Sequence, residues 1–344
     1  MKVAGRRDRD NGGDKIGSRM PKHYLITGGA GFIGSHLAER LLEQGHRITL
    51  LDDFSTGRME NIQSLLEHAN VSLIRAGVEE VQTVNLAVQQ ADAVFHLAAA
   101  VGVQLIADEP VRTISTIIRG TEVVLEAANR WRRPVLITSS SEVYGFGTKV
   151  PFAEDDDIAI GPTVHPRWCY AYAKGIDEFL GLAYHKQFAL PVVVVRLFNT
   201  VGPRQVGQYG MVLPRFVEKA LAGQTIPVTG DGKQTRCFCH VHDVVAALAA
   251  LIETPSAFGH VFNLGSDEEI SIRELAERIV AKVGSSSRIE LMPYEKVYGQ
   301  HFDDVPRRVP DLSKVAAAIG FRRRYDLDQI IDAVVADKRD GRTG

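Results

Sequence analysis

The segment Thr27-Gly-Gly-Ala-Gly-Phe-Ile-Gly34, set between the apolar run His23-Tyr-Leu-Ile-Thr27 and the helix-patterned Ser35–Gln44, constrains this chain more than any other stretch. Glycines at 28, 31 and 34 mark points where the backbone turns tightly and an anion can approach it. A helix that starts there aims its free N–H groups and its dipole at that anion. The pattern predicts a strand–loop–helix unit holding a pyrophosphate through Gly28, Gly31, Phe32, Ile33 and Gly34. Asp52, 18 residues beyond Gly34 and just past the apolar run Arg47–Leu51, is spaced to accept from a ribose. Its charge would repel a 2′-phosphate, so NAD is expected rather than NADP.

Strand and helix patterns alternate onward from there. Ala93–Leu97, Val135–Thr138 and Pro191–Phe198 are near-continuous apolar runs, separated by helical patterns at Val111–Arg130 and Ala171–Gln187. Such runs are strands buried on both faces, which implies a doubly wound parallel α/β (Rossmann) sheet. Beyond Asn199 the pattern loosens into Gly- and Pro-punctuated segments with helices near Val212–Ala222, Val241–Glu253 and Ile272–Val283. The expected division is a disordered tail over 1–20, an NAD-binding domain over 21–200 with a returning segment near 237–262, and a smaller substrate lobe from 201–236 and 263–340. Residues 1–20 are rich in Arg, Asp and Gly, with little to bury against the entropy of ordering, and Met20 is an alternative start.

A formal net charge of −2 gives no general attraction to nucleic acid or to an anionic membrane, so neither is an expected partner. The chain has no apolar stretch of 18 residues and no secretory h-region, which places it in the cytoplasm. Cys169, Cys237 and Cys239 fit neither a disulfide framework nor zinc spacing and read as reduced structural thiols. His240, His242 and Asp243 lack a further ligand at metal spacing; Asp243 reads as the cap of a helix from Val244, and no metal is expected. The run Glu154-Asp-Asp-Asp157 reads as a solvated loop face and His96 as a packed residue near the cofactor.

Tyr170 and Lys174 stand four apart on a predicted helix, hence on one face, where an ammonium can lower a phenol's pKa and make it a base. Tyr172 points elsewhere and reads as packing or dimer surface. Ser139-Ser-Ser-Glu-Val-Tyr-Gly145 follows the run Pro134–Ile137 and places a carboxylate, Glu142, beside a serine cluster at a strand's end.

With these features, and with His96-Leu-Ala-Ala, Arg196-Leu-Phe-Asn-Thr-Val-Gly-Pro-Arg204, Gly230-Asp-Gly-Lys-Gln-Thr-Arg236 and Arg307-Arg-Val-Pro-Asp311, residues 22 to about 335 resemble the extended short-chain dehydrogenase/reductases that act on nucleotide sugars. The resemblance selects Ser140 as hydroxyl partner of the catalytic Tyr170, with Tyr170 and Lys174 also touching NAD. It puts Asn199 and Arg236 on the nucleotide diphosphate, and Arg204 in the substrate site. It also implies a homodimer through the helices near 112–130 and 170–187. Val78 departs from the pattern, standing near where many members carry an aspartate for adenine.

The shared chemistry implied is oxidation at C4 of the sugar by NAD+, with Tyr170 as base. Glu142 decides among the continuations. Simple 4-epimerases usually carry a small or neutral residue there, whereas serine-then-glutamate is similar to UDP-glucuronate decarboxylases and to GDP-mannose 4,6-dehydratases. Arg308 matches an arginine that decarboxylases use near the reacting carboxylate. The favoured reading is decarboxylation of UDP-glucuronate to UDP-xylose or its 4-keto form. The alternatives are a UDP-sugar 4-epimerase, an NDP-hexose 4,6-dehydratase, and a non-catalytic NAD- and nucleotide-sugar-binding regulator, against which the intact Ser140, Tyr170 and Lys174 count. The loop Ala98–Gln104 resembles that of epimerases and dehydratases more than the Ser-Pro-rich loop of eukaryotic-type decarboxylases.

Overall fold

Seven short apolar runs form one all-parallel sheet: β1 His23–Thr27, β2 Arg47–Asp52, β3 Val71–Arg75, β4 Ala93–His96, β5 Val135–Ser140, β6 Val192–Leu197 and β7 His260–Leu264, in the order β7-β6-β5-β4-β1-β2-β3. The computed structural model describes residues 20–99, 110–207, 211–294, 296 and 304–341. The expected tail, apart from Met20, and residues 100–104 of the Ala98–Gln104 loop lie outside them.

Both sheet faces are covered, which is why the strands carry so few polar residues. On one side α1 (Phe32–Glu43) and a later helix, Val241–Ile252, pack with Tyr24, Ile26, Phe95 and Val193. On the other, α2 (Val81–Gln90) and α3 (Pro110–Trp131) pack with Leu25, Val94, Ile137 and Val194, and α4 (Cys169–Phe188) lies against α3. The protein is therefore a doubly wound Rossmann-type fold. Its strand order reverses between β1 and β4, and a crevice opens at the carboxyl ends of the strands at such a switch point.

Residues beyond β6 build a second core. Helices Val212–Leu221, Ile272–Val283 and Leu327–Arg339 bury Phe216, Leu275 and Ile331 against the strand Ile226–Thr229. Capping boxes at Ser271/Glu274 and Asp326/Gln329 start the latter two helices. A small sheet pairs Thr235–Cys237 with Arg307–Arg308 in parallel, with Arg308 opposite Arg236. Backbone hydrogen bonds from Phe152 to Val309 O and from Asp311 to Phe152 O, both 2.8 Å, dock this strand on the loop that follows β5. Two arginines distant in sequence thus reach the end of the main sheet together.

Several local expectations change. The helix that precedes β7 begins at Val241, and its N-cap is His240, whose Nδ1 accepts from His242 N at 3.2 Å. Asp243 lies inside that helix and binds Arg324 instead, at 2.8 Å. Glu154 is not a solvated face: its Oε1 accepts from Asn263 N at 2.7 Å and ties the loop to β7. Nor was the strand–helix pair Val71–Arg75 and Val81–Gln90 read from the sequence; its mixed polar pattern follows from an edge position.

Candidate active site

A cavity of about 620 Å³ lies along the carboxyl ends of β1, β2, β4, β5 and β6. Its first section is a glycine cradle. Gly28 has φ +69°, and a side chain there would meet the backbone of Ala98 at 2.9 Å; at Gly34 it would lie 2.2 Å from Gly28 O. Only glycine lets α1 begin this close to β1, so the N-terminal amides face the cavity. Asp52 ends β2 with its Oδ2 accepting from Ala30 N at 2.9 Å and its Oδ1 from Phe54 N at 2.8 Å. Burial raises its pKa, and these two amides oppose that rise. Gly28, Gly31, Phe32, Ile33, Gly34 and Asp52 all line the cavity, as does Val78, which gives that wall an apolar surface. A Cβ-free loop, a helix N-terminus and an acidic residue on the next strand suit the diphosphate and ribose of a dinucleotide.

The second section joins β5 to α4. Ser139 donates to Glu178 Oε1 at 2.5 Å, and Glu178 pairs with Arg196 of β6 at 2.7 Å, all three buried. That triad fixes the end of β5 against α4, so Ser140 meets Tyr170, with which it shares a side-chain hydrogen bond. Burial foremost, and then the Glu142 charge, push the Tyr170 phenol well above its ordinary pKa, while Ser140 opposes the rise. This corrects the expectation of a phenol already acidified by its lysine. Burial and Glu142 account for most of the rise; Lys174 Nζ sits on Asp177 Oδ2 at 3.0 Å, with both side chains buried, and Asp177 adds a smaller push in the same direction. His96, behind them, is held neutral, with a pKa of about 3, by burial and the Lys174 charge; its ring lies between Thr27 and Thr121 at 2.8 and 3.1 Å.

Glu142 occupies the third section. Its N–H donates to Ser140 Oγ at 3.2 Å, starting a single 3-10 turn over Ser141–Tyr144 that projects the carboxylate into the cavity. Arg308 Nη1 binds Oε1, and Arg167 Nη2 lies 3.3 Å from Oε2. Burial works against the charge, but Arg308 and Arg167 overcome it and bring the pKa down to about 2. Arg236 stands next to them, donating to Asp304 at 2.6 Å and to Val305 O at 2.9 Å. Three guanidinium groups therefore face two carboxylates, Glu142 and Asp304, which leaves an excess positive charge beside Tyr170.

Asn199 and Arg204 also line the cavity, but their polar groups are engaged elsewhere: Asn199 Nδ2 donates to Cys237 O at 2.9 Å, and Arg204 binds Glu39 and, at 3.3 Å, Ser35 on α1. Tyr172 is turned away from the site and donates to Gly161 O at 3.1 Å. Sequence reading missed Arg167, Asp177 and Asp304. Arg167 stands three residues before Tyr170 and Asp177 three after Lys174 on the same helix, spacings that were available as clues; Asp304 carries no local pattern. Among the described residues no group of three or more His, Cys, Asp or Glu is placed to hold a metal ion, and no helix is long and apolar enough to cross a membrane.

The family model described as GDP-mannose 4,6 dehydratase matches residues 25–334. The chain belongs to this family. A UDP-N-acetyl-alpha-D-glucosaminuronate decarboxylase from Bacillus cytotoxicus is 43% identical over 312 residues, covering 90% of this chain and 95% of that one. UDP-glucuronic acid decarboxylase 1 of Danio rerio is 36% identical over 314 residues, covering 91% and 72%. Among solved structures, an epimerase from Methanothermobacter thermautotrophicus superposes with a TM-score of 0.86 at 28% identity, covering 93% of each chain. The UDP-glucose 4-epimerase of Thermotoga maritima, solved with UDP-glucose, gives 0.83 at 28% identity, covering 93% of this chain and 99% of that one. The chain is thus similar in sequence to proteins named decarboxylases and in fold to proteins named epimerases.

Proposed function

We propose that this protein decarboxylates a UDP-linked uronate through a 4-keto sugar, UDP-glucuronate being the first substrate to test and its 2-acetamido analogue the second. The observation that carries this reading is Glu142 held ionised between Arg167 and Arg308, beside Ser140 and Tyr170, in a pocket with excess positive charge. NAD, when bound, supplies the two-electron acceptor for C4 and, oxidised, a positive charge that favours a phenolate. Gly28, Gly31, Phe32, Ile33, Gly34, Asp52, Tyr170 and Lys174 would hold it; Asn199 and Arg236 would exchange their present partners for the nucleotide diphosphate, with Arg204 in the substrate site of a lobe proposed over 201–236 and 263–340.

Tyr170 takes the proton of the C4 hydroxyl while Ser140 binds the same oxygen. In the resulting ketone the C6 carboxylate is β to the carbonyl. The C5–C6 bond breaks, its electron pair moves to C5 and the C4 oxygen, CO2 leaves, and Ser140 and Tyr170 stabilise the enolate. A proton then adds to C5. Glu142 is ionised and has none to give, so it orients a water that does, while its charge favours the departure of a neighbouring carboxylate as neutral CO2. Incubation of the NAD-loaded enzyme with UDP-glucuronate and with UDP-N-acetylglucosaminuronate should release CO2 from at least one. Release from neither, with interconversion of neutral C4 epimers or formation of a 4-keto-6-deoxy sugar, rejects the reading.

Protein stripped of cofactor should regain activity better with NAD+ than with NADP+, because Asp52 repels a 2′-phosphate. Equal or better recovery with NADP+ would reassign the ribose contact. We further propose a homodimer through α3 and α4, which together expose Val111, Ile114, Ile176 and Phe179, the last 73% exposed. Light scattering at micromolar concentration should give twice the chain mass; a monomer refutes it. Three unpaired cysteines suit a reducing compartment, and the cytoplasm is where we place the enzyme.

A further inference from the structure

Two arginines on one carboxylate invite the question of why one is not enough. Arg308 contacts Glu142 through Nη1, while its buried Nε has no hydrogen-bond partner among the described residues. A substrate carboxylate entering the cavity that Arg308 lines would compete with Glu142 for that guanidinium. When a substrate carboxylate takes it, Glu142 loses part of its counter-charge, and a buried carboxylate without compensation takes up a proton. A buried Nε without a hydrogen-bond partner among the described residues is common to Arg308 and Arg167; what sets Arg167 apart is its anchorage. Its guanidinium lies over the ring of the fully buried Trp168, 4.7 Å from the centroid, and its side chain is only 8% exposed. The turn Pro166–Trp168 that carries it runs directly into α4, so Arg167 is fixed to the same element as Tyr170.

Resting on the decarboxylase reading above, we propose that Arg167 is a positioning residue for Glu142: clamped on Trp168, it keeps the Glu142 carboxylate charged and aimed at the sugar while Arg308 turns to the substrate carboxylate. The two arginines divide the work. Arg308 answers to two anions in turn, whereas Arg167 stays with Glu142 throughout. Arg236 cannot take this place, because Asp304 and the carbonyls of Thr235 and Val305 already hold its guanidinium.

The test is single turnover of the NAD-loaded enzyme with UDP-glucuronate, recording CO2 released per bound NAD+ reduced as a function of pH. This ratio cancels the titration of Tyr170, on which the reduction itself depends. Wild type should give a ratio that is flat from about pH 5.5 to 8, given the ordinary carboxyl value near 4.5 and its depression here. In Arg167→Gln the ratio should fall as the pH drops through that range, because with substrate bound Glu142 is then deprived of both cations, each of which depresses a carboxyl by about 1–3 pH units, and rises from about 2 toward that range. Arg167→Lys, which keeps the charge, should restore most of the ratio, and KM should change less than roughly threefold in both, since neither the substrate carboxylate nor the diphosphate rests on Arg167. A flat ratio in Arg167→Gln overturns the proposal. So does a flat ratio with a tenfold rise in KM, which would make Arg167 a ligand of the substrate. If Arg167→Gln does not fold, Glu142→Gln/Arg167→Gln should, because both charges are then removed; failure of the double variant also counts against it. If UDP-glucuronate gives no CO2 the same measurement is made with UDP-N-acetylglucosaminuronate, and wild type releasing no CO2 from either would instead sink the decarboxylase reading itself.

Discussion

Glu142→Gln is expected to lower CO2 release from UDP-glucuronate by roughly a hundredfold or more while bound NAD+ is still reduced to a measurable extent. The amide preserves size and its oxygen can still accept from one of the two arginines, but its NH2 cannot accept from the other, and it places no charge beside the leaving carboxylate. C4 oxidation depends on Ser140, Tyr170 and Lys174, none of which is changed. Rapid-quench measurement of CO2 beside absorbance at 340 nm separates the two steps. Undiminished CO2 release would remove Glu142 from the chemistry, and undiminished epimerisation at C4 would mark a 4-epimerase. The pH sign follows from the depressed carboxyl: the stabilisation Glu142 draws from its arginines is fully present above 4.5 and is lost as the pH falls toward about 2. Acidity in the assay range therefore does not imitate the Gln substitution in wild type.

Tyr170→Phe should abolish the first step. The ring is kept and the base is lost, so reduction of bound NAD+ should fall by roughly 100- to 10,000-fold while cofactor and nucleotide sugar are retained. Isothermal titration with UDP checks binding, and 340 nm absorbance checks chemistry. Reduction at the wild-type rate would place the base elsewhere. The phenol starts from a pKa raised by burial and by the Glu142 charge.

Features whose physics is local could be read from the chain. The glycine loop is one, since the lack of Cβ atoms, a strand before and a helix after it are written in consecutive residues. Tyr170 and Lys174 are another, because four residues of helix put them on one face whatever surrounds them. Apolar runs alternating with amphipathic helices determined the doubly wound sheet. The fold could not be read where elements sit at the sheet's edge, as at Val71–Arg75, where burial is partial and the pattern mixes.

Charge states and partners were decided only by the tertiary structure. The identity of Glu142 was evident beside its serines, but its ionisation depends on Arg308, 166 residues away, delivered by a short strand paired with the one that holds Arg236. Burial and the Glu142 charge raise the Tyr170 phenol against the effect expected of Lys174, and Arg204 is drawn to Glu39 on α1. Electrostatic energies depend on distance and on the exclusion of water, and sequence spacing specifies neither between segments that meet only on folding. The sequence by itself determined the scaffold and the catalytic residue types; packing decided which charge each of them faces.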